Sequence, residues 1–136
     1  MSTVRFYDEC PSDASIKYAV IVAQYRGKWI LCRHKDRKTW EIPGGHRETD
    51  EKPDQTAARE LWEETGAHKS RIVPVCAYSF GDYGMLYYAE ISELGSIPEG
   101  SEIAEAACFD YLPDELTYPH IQPALFEKVQ GWLKKQ

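Results

Sequence analysis

From Gly45 the chain runs Gly45-His46-Arg47-Glu48-Thr49-Asp50-Glu51-Lys52-Pro53-Asp54-Gln55-Thr56-Ala57-Ala58-Arg59-Glu60-Leu61-Trp62-Glu63-Glu64-Thr65-Gly66-Ala67. Its second half reads as a helix of two chemical characters. At about 3.6 residues per turn, Glu60 lies three positions before Glu63 and four before Glu64, so the three carboxylates share one face. Ala58, Leu61 and Trp62 are expected on the opposite side, as an apolar stripe that packs on a sheet while the acids point away. Pro53 suits the first helical turn, Asp54 the positive N-terminal end, and Gly66 the left-handed position just past the last turn. Arg59 precedes Glu63 by four, within reach of an ion pair. Carboxylates at this spacing repel one another by roughly a few tenths of a kcal/mol per pair. The cluster therefore calls for a cation, and hard oxygen donors suit magnesium, manganese or calcium rather than zinc.

A bare Glu-Glu pair on a helix is most often a solvated acidic face. Here the register of Gly45, Glu51, Arg59, Glu60, Glu63, Glu64 and Gly66 argues otherwise, because together they resemble the signature of the Nudix hydrolases. Ala67 stands where that family usually has a larger aliphatic residue, and Asp50 where a glycine commonly precedes the first glutamate. Just upstream, Trp40-Glu41-Ile42-Pro43-Gly44-Gly45 resembles the strand and loop that enter the motif in the MutT-like branch. Two glycines there let the backbone approach the helix closely.

The resemblance implies an α/β fold, a Nudix-type α/β/α sandwich with a mixed sheet between helices. It also implies metal-dependent hydrolysis of a diphosphate linkage, typically in a nucleoside diphosphate joined to another group. Carried over by position, Glu60, Glu63 and Glu64 hold magnesium, with manganese as a substitute, and the main-chain carbonyl of Gly44 joins them. Glu60 orients or deprotonates the water. Arg59 and Glu51 support the ligands, and Gly45 and Gly66 are structural. A further acid is expected after the motif, among Glu99, Glu102 and Glu105. Glu102 is favoured because Ser101-Glu102-Ile103 leads into the last expected strand, against the plainer reading of an exposed loop acid. Glu41 alternates with Trp40 and Ile42, so it points either to the site or to a salt bridge with the basic loop before it.

Composition sets outer bounds. A chain of 136 residues, 43% of them hydrophobic, fits a single domain over 1–136 with a sizeable core. The longest wholly apolar stretch, Tyr18 to Ala23, is far short of the roughly 20 residues that cross a bilayer. Met1 to Cys10 lacks a basic start followed by an apolar run, so a cytoplasmic location and no membrane partner are expected. Cys10, Cys32, Cys76 and Cys108 have neither zinc nor redox spacing and read as reduced thiols, the last three as small core residues. His34, His46, His68 and His120 are scattered, with no metal-binding pair among them. A net charge of −6 argues against duplex nucleic acid as a partner and leaves a small nucleotide. The local excess of Arg26, Lys28, Arg33, Lys35, Arg37 and Lys38 reads as a solvated hairpin and loop, with one or two of them reaching a substrate phosphate as the alternative. Nothing in the sequence sets an oligomeric state.

The expected elements are a hairpin of Tyr18–Tyr25 and Trp29–Cys32 around Arg26-Gly27-Lys28, a strand at Trp40, the motif helix, strands at 71–80 and 85–91 joined by a turn at 81–84, a loop over 92–102, a strand at 104–111 and an amphipathic helix over 123–135. Trp40, Phe80, Tyr83, Tyr87 and Tyr88 are candidates to stack a base, although aromatic residues on strands are more often core. Family members that hydrolyse ADP-ribose tend to place a proline where Asp82 stands. Tyr83 is similar in position to a tyrosine of the dinucleoside polyphosphate branch. The motif for reduced nicotinamide dinucleotide is missing. The substrate expected is therefore a nucleoside triphosphate, with an oxidised one such as 8-oxo-dGTP in view. A nucleotide sensor without turnover is the reading from another class, and the intact set of acids weighs against it.

Overall fold

The structure, a computed structural model, describes residues 3–136; Met1 and Ser2, where the reading of the N-terminus begins, lie outside it. Its elements are β1 (Arg5–Tyr7), β2 (Ile16–Tyr25), β3 (Lys28–His34), β4 (Gly44–His46), α1 (Pro53–Thr65), β5 (Ala67–Phe80), β6 (Asp82–Leu94), β7 (Ile103–Phe109) and α2 (Gln122–Lys134), with a 3-10 turn at Asp13–Ser15. The strands form one sheet in the order β1-β5-β6-β2-β3-β7, and β4 also pairs with β2. The β2–β6 pair is parallel and the other strand pairs are antiparallel. The expected α/β class with a mixed sheet is thus the one observed.

Alternation along β2 sends side chains to two cores. Ala19, Ile21 and Ala23 join Ala57 and Leu61 of α1 on one face. Val22 joins Leu125, Phe126 and Val129 of α2 on the other. The β2–β3 hairpin closes through Arg26 and Gly27, whose φ of 53° and 80° suit a two-residue turn matched to the strand twist.

The motif helix begins and ends as expected, but its packing face differs. The Gln55 side chain accepts from the Lys52 N–H at 2.8 Å, Pro53 opens the first turn, and Gly66 closes the helix in the left-handed region at φ 79°. A Cβ at Gly66 would lie 2.5 Å from the Gly95 carbonyl, so this position excludes larger residues. Ala57 and Leu61 are fully buried, whereas Ala58 is exposed and Trp62 is 44% exposed. The buried row is Ala57, Leu61 and Thr65, spaced i, i+4, with Glu60 buried beside it. The acidic face therefore borders the packed face and does not oppose it.

Other expectations shift at their ends. Strand β5 starts directly after Gly66 and β6 runs on to Leu94, so the turn between them tightens to Gly81, at φ 81°. The strand expected at Trp40 is reduced to two single bridges, Cys32 with Glu41 and Trp40 with Leu116, and the paired segment is β4. Pro43, which has no N–H to donate, interrupts the ladder between them. The cysteines carry no disulfide; Cys32 and Cys76 are buried, but Cys108 is exposed on β7, the last strand in the sheet order, and is not a core residue. Among the described residues no helix is long and apolar enough to cross a membrane.

Candidate active site

One edge of β2 has two partners. Tyr18, Ala19 and Val20 pair with His46, Gly45 and Gly44, while Ala23 to Tyr25 pair with Ile30 to Lys28. Between these ladders the Ile21 N–H donates to the Pro43 carbonyl at 2.8 Å. A cleft of about 630 Å³ lies at this division. Glu60 and Glu64 of α1 reach it past Gly44, Gly45 and His46 of β4. Its remaining lining includes His34, Arg37 and Glu41, the aromatic side chains Tyr18, Tyr78, Phe80 and Tyr118, and Gln122 at the start of α2.

Glycine at 45 is a steric requirement here. A Cβ on it would fall 2.5 Å from the carboxyl carbon of Glu60. Glu64 is bound from the same loop, its Oε1 accepting from the Gly44 N–H at 2.8 Å. Burial pushes the Glu64 carboxyl up to about 8, the charges of Glu60 and Glu41 add to this, and the Gly44 amide acts against it. Burial also raises Glu60, with Arg59 opposing.

Arg59 organises the rest of the helix face. Its Nε and Nη2 donate to the two oxygens of Glu51 at 2.6 and 2.9 Å, and Nη2 also reaches the His46 carbonyl at 3.1 Å. Its Nη1 lies 2.8 Å from Glu60 and 3.3 Å from Glu63. The bidentate pair, joined by bonds from the Glu48 amide and the Thr56 hydroxyl, holds the Glu51 carboxyl down at about 2. The cation that the acidic face requires is thus first of all Arg59 itself.

Among the described residues no three His, Cys, Asp or Glu side chains stand in a metal-ligating arrangement; Arg59 engages Glu60 and Glu63, and the Gly44 amide engages Glu64. The donors nevertheless fit a hard divalent ion. They are carboxylate oxygens, those of Glu60 and Glu64 removed far enough from solvent that their charge is unfavourable without a counter-ion, beside a backbone stripped of side chains at Gly44-Gly45.

Glu102 borders the cleft with its side chain 88% exposed, 3.9 Å from His34 Nδ1. Glu105 pairs with Arg33 at 3.4 Å, and Glu99 is exposed outside the lining. Glu41 combines both of its expected roles: it is buried in the cleft wall, paired with Arg37, and 3.3 Å from His34. Trp40 packs on Phe109 at 5.0 Å and Tyr83 on Tyr7 at 5.6 Å, both outside the lining. Tyr87 and Tyr88 are core, their hydroxyls donating to Asp54 and Gln24. Of the five stacking candidates, Phe80 lines the cleft. The sequence reading missed Tyr18, which packs on His46 at 4.7 Å, and also His34, Tyr78, Tyr118 and Gln122. Only the alternation in β2 carried any hint of Tyr18; the others depend on contacts distant in sequence.

A larger but more open depression of about 850 Å³ lies beside Trp62 and the start of β5. Its charges neutralise one another, Arg71 with Glu90 at 3.5 Å and Lys69 with Glu93 at 3.7 Å at its edge, and no buried acid faces it. The cleft at Gly44-Gly45 is therefore the candidate site.

A NUDIX domain model matches residues 16–127. The Bacillus subtilis protein YtkD, provisionally named an 8-oxo-dGTP diphosphatase, is 31% identical over 116 residues, spanning 82% of this chain and 73% of that protein. A MutT-like protein of Streptomyces ambofaciens is 46% identical over 52 residues, 38% of this chain and 34% of its own. The crystal structure of the Bacillus subtilis pyrophosphohydrolase BsRppH, in a mutant form, superposes with a TM-score of 0.79 at 26% identity, over 94% of this chain and 90% of that one.

Proposed function

The chain belongs to the Nudix hydrolase family, and from that premise we propose that it is a nucleoside triphosphate pyrophosphohydrolase, releasing a nucleoside monophosphate and pyrophosphate. The observation that carries this reading is the composition of one cleft, where the buried Glu60 and the partly buried Glu64 share a cavity with Tyr18, Tyr78, Phe80 and Tyr118. Phosphates and a base find complementary surroundings in it. The provisional name of YtkD supports extending the substrate to an oxidised purine triphosphate.

Members of the family generally use divalent metal cations. In this chain magnesium, or manganese in its place, would be held by Glu60, Glu63 and Glu64 with the Gly44 carbonyl, and by Glu102 as the later acid; bound there, it neutralises phosphoryl oxygens and lowers the pKa of a bound water. Glu60, buried against Gly45 in the cleft, is the group assigned to orient or deprotonate the attacking water, as the resemblance to the MutT-like branch implies. Arg59 fixes Glu60 and Glu63 while Glu51 fixes Arg59, so both act through geometry. Arg37, held by Glu41 at the cleft, is placed to meet the phosphate chain. The same reading takes residues 1–136 as one catalytic domain working in the cytoplasm.

The test is release of phosphate and pyrophosphate from a panel of nucleotides, with and without magnesium. Triphosphates should lead in kcat/KM, with pyrophosphate as the product. ADP-ribose or a dinucleoside polyphosphate exceeding every triphosphate would overturn the substrate assignment. Tight binding of a nucleotide without turnover would make the protein a sensor.

A further inference from the structure

The loop between β6 and β7 is fastened to the C-terminal end of α1 at two points. A helix leaves its last carbonyls without partners of its own. The Gly66 carbonyl, just past the last turn, accepts from the Gly95 N–H at 2.8 Å. At Glu63 the Ala67 N–H that would continue the ladder turns instead to Thr65 Oγ1 at 3.2 Å, and the Ser101 hydroxyl donates to the Glu63 carbonyl at 3.0 Å. The same hydroxyl accepts from the Ile103 N–H at 3.2 Å, so one oxygen spends its proton on α1 and a lone pair on the first residue of β7. Between Ser101 and Ile103 stands Glu102. Its carbonyl accepts from the Lys35 N–H at 2.9 Å, whereas its side chain is 88% exposed and lies 3.9 Å from His34 Nδ1. The β3–β7 register slips between Arg33–Glu105 and His34–Ile103, leaving Ala104 as an extra residue on β7. Such a bulge re-aims the side chains next to it.

We infer that Ser101 is a positioning residue for the metal site, its hydroxyl fixing how far Glu102 stands from the acidic face of α1. The inference rests on the reading of Glu102 as the later acid and adds what holds that acid in place. The Lys35 N–H ties Glu102 to the end of β3, while the Ser101 hydroxyl ties the neighbouring residue to the backbone of Glu63, itself one of the helix acids. A long, exposed carboxylate gives up rotamer freedom when it closes on a cation, and that cost is smaller when its backbone is already placed. With the hydroxyl removed, Gly95 at the far end of the loop still holds α1, but the end that carries Glu102 loses its bond to the helix.

Manganese titration of the nucleotide-free protein, followed by loss of the free-ion spin-resonance signal, tests this in wild type, Ser101→Ala, Glu102→Gln and the double variant. Ser101→Ala should weaken manganese binding by about tenfold, the low end for residues that orient metal ligands. Ser101→Thr, which keeps the hydroxyl, should bind as wild type. In the Glu102→Gln background the loss of the serine hydroxyl should cost nothing further, because a positioning residue acts through the group it positions. An equal loss in both backgrounds overturns the inference, as does Ser101→Thr binding as weakly as Ser101→Ala. If Glu102→Gln weakens binding and folded Ser101→Ala does not, the reading of Glu102 stands and this inference alone falls. Wild-type affinity in Glu102→Gln removes that acid from the metal site and the inference with it. Failure of manganese to bind the wild-type protein takes the metal reading down as a whole.

Discussion

At one end of the cleft, Glu51, Arg59, Glu60, Glu63 and Glu64 come from the single stretch 51–64 and are joined largely through one guanidinium. At the other, Tyr18, Tyr78, Phe80, Tyr118 and Gln122 come from β2, from β5, from the loop before α2 and from α2 itself. The first region is a coupled charge network on a rigid element, where losing one member redistributes the rest. The second is a set of side chains each anchored by a different part of the fold, so a change there should stay local and additive. On the proposed function, chemistry is thus concentrated where coupling is strong, and selectivity where it is weak.

The largest effect should come from removing the cation. Excess chelator is expected to abolish hydrolysis and added magnesium or manganese to restore it; full turnover in chelator would detach the acidic helix from the mechanism. Next, Glu60→Gln should lower kcat by about 10²–10⁴-fold, the usual span for a lost proton-transfer group. Glu63→Gln and Glu64→Gln should also fall by orders of magnitude as ligand charge is lost. Glu93→Gln, an exposed acid paired with Lys69, is the control and should be silent. Equal losses at all four positions would break the comparison.

Arg59→Met should cost both activity and stability. Supporting residues of this kind are worth about 10–100-fold in metal affinity or turnover, and stranding Glu51 and Glu60 should destabilise the fold by about 2–3 kcal/mol. The same network gives a pH signature. Glu51, held at about 2 against an ordinary 4.5, contributes stability that is complete above 4.5 and lost as the pH falls through 2. Glu51→Gln should therefore flatten the acid limb of the melting temperature between those values; an unchanged limb would show that the pair contributes nothing there.

The smallest effects belong to the aromatic end. Phe80→Ala should raise KM by about tenfold, the worth of one stacked base, with kcat nearly unchanged. Trp40→Phe and Tyr83→Ala should leave KM within about twofold, because both side chains pack outside the cleft. A large KM effect at Trp40 or Tyr83 would return those residues to the substrate site.

These two ends also differ in how far they could be read from residues alone. The helix was legible because Pro53, Gly66 and the spacing of the acids are local, and local rules fix them. Even there the packed face was misplaced by one step. Ala57 and Ala58 are neighbours about 100° apart, and only docking on β2 decides which of them is buried. Trp40 was read as a strand because Trp40-Glu41-Ile42-Pro43-Gly44-Gly45 resembles the segment that enters the motif in the MutT-like branch, whereas Pro43 limits the segment to single bridges. The cleft residues Gln122 and Tyr78 were out of reach. Their places in the lining depend on Ile42 meeting α2 and on Gly84 leaving room for a ring, contacts that join distant parts of the chain.

The parallel pairing of β2 with β6 has a consequence for how the protein is made. Helix α1 lies in the connection between those strands, and its floor includes Met85, Tyr87 and Ala89, with the Tyr87 hydroxyl bound to Asp54. On a ribosome, at about 5–20 residues per second, α1 emerges before that floor exists. A nascent chain arrested at residue 81 should therefore leave the α1 amides open to hydrogen exchange, and one arrested well past Leu94 should protect them. The acidic helix, first of the two helices in sequence and most complete in its local signals, has to wait for a strand translated after it.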